Sequence, residues 1–120
     1  MTFMPAFKDQ QELETHQLKG LQWTLEHAYN GSEAYRAKLD HAGCKPGDVK
    51  SLDDLAKLPF TTADDLKAGY PFPLLSVPFA EVVRVHASSG TTGKRKVLCY
   101  TQRTSTTGRT CSRAAMNWPA

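Results

Sequence analysis

Between Pro59 and Val82 the apolar residues of this chain stop recurring at helical spacing and begin to alternate, and that change of period confines the fold to a mixed α/β class. Upstream, Asp9-x-x-Glu12 is a capping-box pattern, and Leu18, Leu21, Leu25 and Ala28 or Tyr29 follow at helical spacing as far as Asn30-Gly31. Ser32 is placed to cap a second, shorter helix presenting Tyr35, Leu39 and Ala42, and Gly43 to end it in a left-handed conformation. The spacing predicts a helical hairpin. Ser51 with Asp54, and Thr62 with Asp65, then begin two short helical units, the first stopped by Pro59. Beyond the proline-rich YPFPLLSVPF, the runs EVVRVHA and KVLCYT have strand character from their valines and their alternation. A helical N-terminal part thus leads into two strands joined by a loop, and no internal repeat is present.

That loop, HASSGTTGKRKV, gathers hydroxyls, glycines and a lysine into one short run. Gly90 and Gly93 permit positive φ, and without side chains their amides approach a ligand closely. With the hydroxyls of Ser88, Ser89, Thr91 and Thr92 they offer several donors to phosphate oxygens, and Lys94 adds a point charge. A polyphosphate is the natural guest. The Walker A pattern does not fit, because Gly90 stands too close to Gly93-Lys94 and Arg95 replaces the Ser or Thr that should follow. A strand also follows the loop here, so no helix dipole points at the phosphate. The alternative from composition alone is a flexible hairpin connection with no ligand.

Composition narrows the function classes. Of 15 basic and 12 acidic residues, Arg103, Arg109 and Arg113 lie in a tail without acids, so the rest of the chain is neutral and does not read as a nucleic-acid binder. The longest apolar runs are broken by prolines and too short for a bilayer, and MTFMPAFKDQQELE lacks the pattern of a secretory signal, so a cytoplasmic location is expected. Cys44, Cys99 and Cys111 are odd in number and irregularly spaced, which predicts reduced, unligated thiols and no metal site. His16, His27 and His41 read as surface or packing residues in helices, while His86 stands where it can at most orient the loop. Asp53-Asp54 and Asp64-Asp65 fall in first turns, where capping explains them better than acid-base work. No catalytic residue is assigned.

SSGTTGK followed by a basic, β-branched strand resembles the nucleotide-binding loop of the adenylate-forming superfamily. AYRAKLDHAGCKPGDVKSLDDLAKLPFTTADDLKAGYPF followed by RVHASSGTTGK is similar to the N-terminal portion of a phenylacetate-coenzyme A ligase, from about Leu21 to Gln102. Arg95 is a departure, since that family more often has proline there, which would stiffen the loop. The resemblance implies residues 1–102 as part of an adenylate-forming N-terminal domain, and a two-step reaction. An aryl carboxylate attacks the α-phosphate of ATP, with Mg²⁺, to give an acyl-adenylate and diphosphate, and the coenzyme A thiol then displaces AMP. Ser88, Ser89, Gly90, Thr91, Thr92, Gly93 and Lys94 would hold the β- and γ-phosphates and supply no nucleophile. The family's remaining catalytic parts, carried downstream, are missing from this sequence, so the chain reads as an inactive fragment, and two strands cut from a larger sheet leave unpaired edges and exposed apolar faces, which predicts poor solubility. Its intact form is expected to act on small molecules, without nucleic acid or membrane, as a homodimer.

Residues 103–120, RTSTTGRTCSRAAMNWPA, contain no acid, no leucine, isoleucine or valine, and no helical or strand period. One reading is a disordered tail. The other is a slipped reading frame: with permitted codons and one A restored before Arg103, the shifted frame reads KDVDDWADMFSRCYELAG, an acidic amphipathic helix of the kind the family places there. Coding DNA read across Gln102 decides between them. Two other functions stay open: a ligase for another aryl acid or an enzyme adenylylating a deazaflavin coenzyme, and a noncatalytic helical interaction module whose loop is a connector.

Overall fold

The computed structural model describes residues 6–89, 93 and 95–107. Helix α1 spans Gln10–Gly31 and α2 spans Glu33–His41, with Ser32 as the joint. At the start of α1 the Asp9 carboxylate accepts from the Glu12 N–H at 2.8 Å, while the Glu12 carboxylate reaches back to the Lys8 N–H at 2.8 Å, one residue before the expected box partner. Ser32 serves both helices: its N–H donates to the Ala28 carbonyl at 2.9 Å and its Oγ accepts from the Tyr35 N–H at 3.2 Å. Gly43 takes φ 67° and closes α2 by donating to the Asp40 carbonyl, while the Cys44 N–H donates to the Leu39 carbonyl, so the expected left-handed stop is formed.

The hairpin predicted by spacing is present, and its apolar stripes meet in a small core. Leu25, Leu39 and Val49 are buried, with Leu18, Leu21, Tyr29, Tyr35 and Leu58 packed around them. Tyr29 Oη donates to the Asp40 carboxylate at 2.8 Å across the two helices, and this bond is the first cause that raises the phenol's pKa above its ordinary value. Gln22 fixes the chain after α2 by donating to the Val49 carbonyl at 2.9 Å.

The unit begun by Ser51 is a 3₁₀ segment, Leu52–Lys57, and the unit begun by Thr62 is a short α-helix, α3, Ala63–Lys67. Both paired-acid sites cap backbone as expected. Asp54 accepts from Lys57 Nζ at 2.6 Å and from the Lys50 and Ser51 N–H groups, each at 2.9 Å, and these bonds, that of Lys57 first, hold its carboxyl well below the usual carboxylate range. Asp65 accepts from the Thr62 N–H at 2.6 Å and from Lys38 of α2, a tie between helices that local spacing does not reveal.

The Lys38 bond first, then the Thr62 amide, lower the Asp65 pKa from 3.8 to about 2. The contribution of Asp65 is therefore fully present above about pH 4 and is lost as pH falls through about 2. Asp65→Asn is expected to unfold at lower temperature than the parent at pH 7, with the two melting curves converging near pH 2. Thermal unfolding followed across that range checks the crossover.

From α3 the chain runs through the proline-rich segment into β1, Val82–Ala87, which pairs antiparallel with β2, Val97–Thr101. These are the two strands expected from the valine runs. The segment is seated on the α1–α2 joint: Ser32 Oγ donates to the Pro73 carbonyl at 3.2 Å, and Gly31 lies directly against the Ser76 backbone. A groove of about 280 Å³ between α1, this segment and β2 is lined by His27, Phe72, Leu75, Val97, Cys99 and Thr104, among others.

After β2, residues 102–107 form a helical turn whose Thr104 N–H donates to Thr101 Oγ1 at 3.3 Å, and the Arg103 guanidinium sits 5.6 Å from the Trp23 ring. Threonine-rich sequence carries no apolar period to announce such a turn; it is supported by its cap and by this contact with α1. Residues 108–120, with Cys111, Arg109 and Arg113, lie outside the described residues.

Candidate phosphate-binding loop

The loop hangs from a two-stranded ribbon. Register opposes Ala87 to Val97, His86 to Leu98 and Arg84 to Tyr100, with a bulge between Val82 and Arg84. One step beyond the ladder, the Ser88 N–H donates to the Lys96 carbonyl at 2.9 Å and the Lys96 N–H donates to Ser88 Oγ at 3.0 Å. This clamp closes the base of the loop. It also divides the work of Ser88: its oxygen lone pair holds the loop shut, while its O–H stays available as a donor.

Of the seven residues singled out in the sequence, Ser88, Ser89 and Gly93 are described, all three exposed at the loop. Gly93 takes φ 93° with open space where a Cβ would point, so backbone conformation and not crowding demands glycine there. Gly90, Thr91, Thr92 and Lys94 lie outside the described residues.

The electrostatics favour an anion. From Val82 to the end of the sequence there is no acidic residue. Among the described residues, Arg84, Arg95 and Lys96 have no acidic partner within ion-pair distance, since the three ion pairs present involve Lys38, Lys57 and Lys67. The ribbon therefore carries uncompensated positive charge toward the loop. Lys96 was missed as a site residue by sequence reasoning; the available signal was its position opposite Ser88 once the two strands are set in register.

Three of the histidines make ring contacts. His16 packs on Phe7 at 5.4 Å, His27 stacks on Trp23 at 4.9 Å, and His86 meets the Tyr100 ring at 5.1 Å. Cys44 is buried and Cys99 half-buried, both as free thiols, and burial raises the Cys99 pKa. Among the described residues no group of His, Cys, Asp or Glu is arranged to hold a metal ion, and no helix is long and apolar enough to cross a membrane.

No protein-family model matches the chain. Curated relatives do. The chain is 53% identical over 91 residues to the phenylacetate-coenzyme A ligase of Escherichia coli, covering 76% of this chain and 21% of that protein. It is 51% identical over 90 residues to the enzyme of the same name from Pseudomonas putida, covering 75% of this chain and 20% of the relative. Among solved structures, the fold matches a 2-hydroxyisobutyryl-CoA ligase in complex with 2-HIB-AMP and CoA at a TM-score of 0.72 and 32% identity, over 79% of this chain and 21% of that one. An open conformation of that ligase matches at a TM-score of 0.68 and 25% identity, over 82% of this chain and 24% of that one. The helical part and the small antiparallel sheet correspond to the N-terminal region of such adenylate-forming CoA ligases. By identity over three-quarters of its length, the chain is a homologue of phenylacetate-coenzyme A ligases, and it spans about a fifth of the length of those relatives.

Proposed function

We propose that this chain supplies the nucleotide-phosphate loop of an ATP-dependent aryl-acid ligase, which converts phenylacetate, ATP and CoA to phenylacetyl-CoA, AMP and diphosphate. The observation that carries the reading is the Ser88–Lys96 clamp, which closes a glycine-containing loop at the end of a ribbon with unneutralised positive charge. Ser88, Ser89, Thr91 and Thr92 donate hydroxyl hydrogen bonds, Gly90 and Gly93 donate amides, and Lys94 places a charge, all toward the β- and γ-phosphates. These groups stabilise charge on the departing diphosphate and abstract no proton. The nucleophiles are the substrate carboxylate and the CoA thiol.

Magnesium enters this scheme only with ATP. The loop and both strands contain no carboxylate, so the residues present do not form a site for the ion. The acid is assigned as aryl because the phenylacetate ligases share 51–53% identity with the chain, against 32% for the 2-hydroxyisobutyryl enzyme. The intact enzyme is placed in the cytoplasm as a homodimer, acting without nucleic acid or membrane.

Titration of the 120-residue chain with MgATP tests the loop. Saturable shifts at the loop amides are expected, weakened by added salt and reduced about tenfold or more in Lys94→Ala, the scale of a hydrogen bond to a charged group. No AMP is expected to form from ATP and phenylacetate with this chain alone. A folded sample that ignores MgATP would return the loop to the role of connector; AMP formation would show that the chain holds catalytic parts beyond the loop.

A further inference from the structure

We propose that His86 is a positioning residue for the phosphate loop, acting through its ring contact with Tyr100. Among the described residues the ribbon that carries the loop has a single ladder, with neither outer edge paired to a further strand, and every β1 residue after Val82 is exposed. An isolated two-stranded ribbon is marginal and needs side-chain contacts to hold its geometry. Register makes His86 and Tyr100 a diagonal pair on one face, where cross-strand side chains stabilise a sheet. Their centroids lie 5.1 Å apart with planes inclined at 58°, within the tilted arrangement that favours ring pairs.

Tyr100 is half-buried and His86 exposed, so Tyr100 is the fixed member. Among the described residues this is the one aromatic contact within the ribbon. Ser88 follows two residues after His86, one step beyond the ladder, and makes the clamp to Lys96. The ring pair therefore holds the end of β1 where Ser88 meets Lys96, and the clamp in turn fixes the two ends of the loop before a ligand arrives. Preorganisation of this kind lowers the ordering cost of binding.

The effect on ATP rests on the phosphate-loop reading; the effect on the clamp does not. Amide hydrogen exchange of the 120-residue chain reads the clamp directly at Ser88 and Lys96, and MgATP titration of the same samples reads the loop. His86→Ala is expected to speed exchange at both amides and weaken MgATP binding by about two- to tenfold, the range one aromatic pair supports, with exchange in α1 unchanged. His86→Phe keeps a ring and is expected to restore both readings. Unchanged exchange in His86→Ala overturns the proposal, and so does a His86→Phe chain that exchanges as fast as the alanine variant. Should the parent chain ignore MgATP, the phosphate-loop reading fails by itself and exchange still decides the ring contact.

Discussion

Gly31→Ala is expected to pull the proline-rich segment off the end of α1, although alanine is the better helix former. A Cβ at Gly31 would lie 2.1 Å from the Ser76 carbonyl oxygen and 2.7 Å from its carbon, and these are backbone atoms that cannot swing aside. Overpacking of this kind costs about 1–3 kcal/mol, and more where backbone must move. The same substitution at Gly20, inside α1 with nothing within 4 Å, should stabilise by about 0.5–1 kcal/mol through helix propensity alone. Opposite shifts of Tm for the two alanine variants, measured side by side, are the expected result. A stable Gly31→Ala chain would mean that the segment docks elsewhere. Because that segment leads directly into β1, the loop should feel the change, and the Ser32–Pro73 hydrogen bond should be lost with it.

Leu39→Ala should have an effect at least as large. Leu39 is completely buried and, among the described residues, belongs to a packed cluster of three buried apolar residues with five partly buried neighbours. Removing a buried leucine side chain typically costs about 2–5 kcal/mol, against a total stability of about 5–15 kcal/mol for a domain. So small a core has little reserve, and the variant is expected to be largely unfolded at 37 °C by circular dichroism. Retention of a cooperative transition within about 1 kcal/mol of the parent would show that α1 and α2 collapse over the gap.

These two sites differ in how far they were legible. Leu39 stood out at once, because it falls on the apolar face of a helix whose cap, Ser32, and stop, Gly43, are both written nearby. Gly31 read only as a helix end. Its partner Ser76 is 45 positions away, and no local pattern announces that the two backbones touch. Lys38–Asp65 is the same kind of case: the sequence marked Asp65 as a cap, and the fold added the cation from α2.

The loop divides along the same line. Its residue types, and the two strands that flank it, were readable from the run of serines, threonines and glycines between valine-rich segments. The Ser88–Lys96 clamp and the His86–Tyr100 pair depend on strand register, which the alternation of side chains leaves open until the two strands are paired.

The sequence by itself therefore determined where α1 and α2 begin and stop, the change from helical to strand period, and the residue types gathered in the loop, since capping, φ preference and periodicity act within a few residues. Only the tertiary structure decided which distant groups meet: Gly31 with Ser76, Lys38 with Asp65, and Arg103 with Trp23. Those contacts depend on how whole elements pack, and packing answers to the volume and direction of side chains across the molecule, which no local stretch encodes.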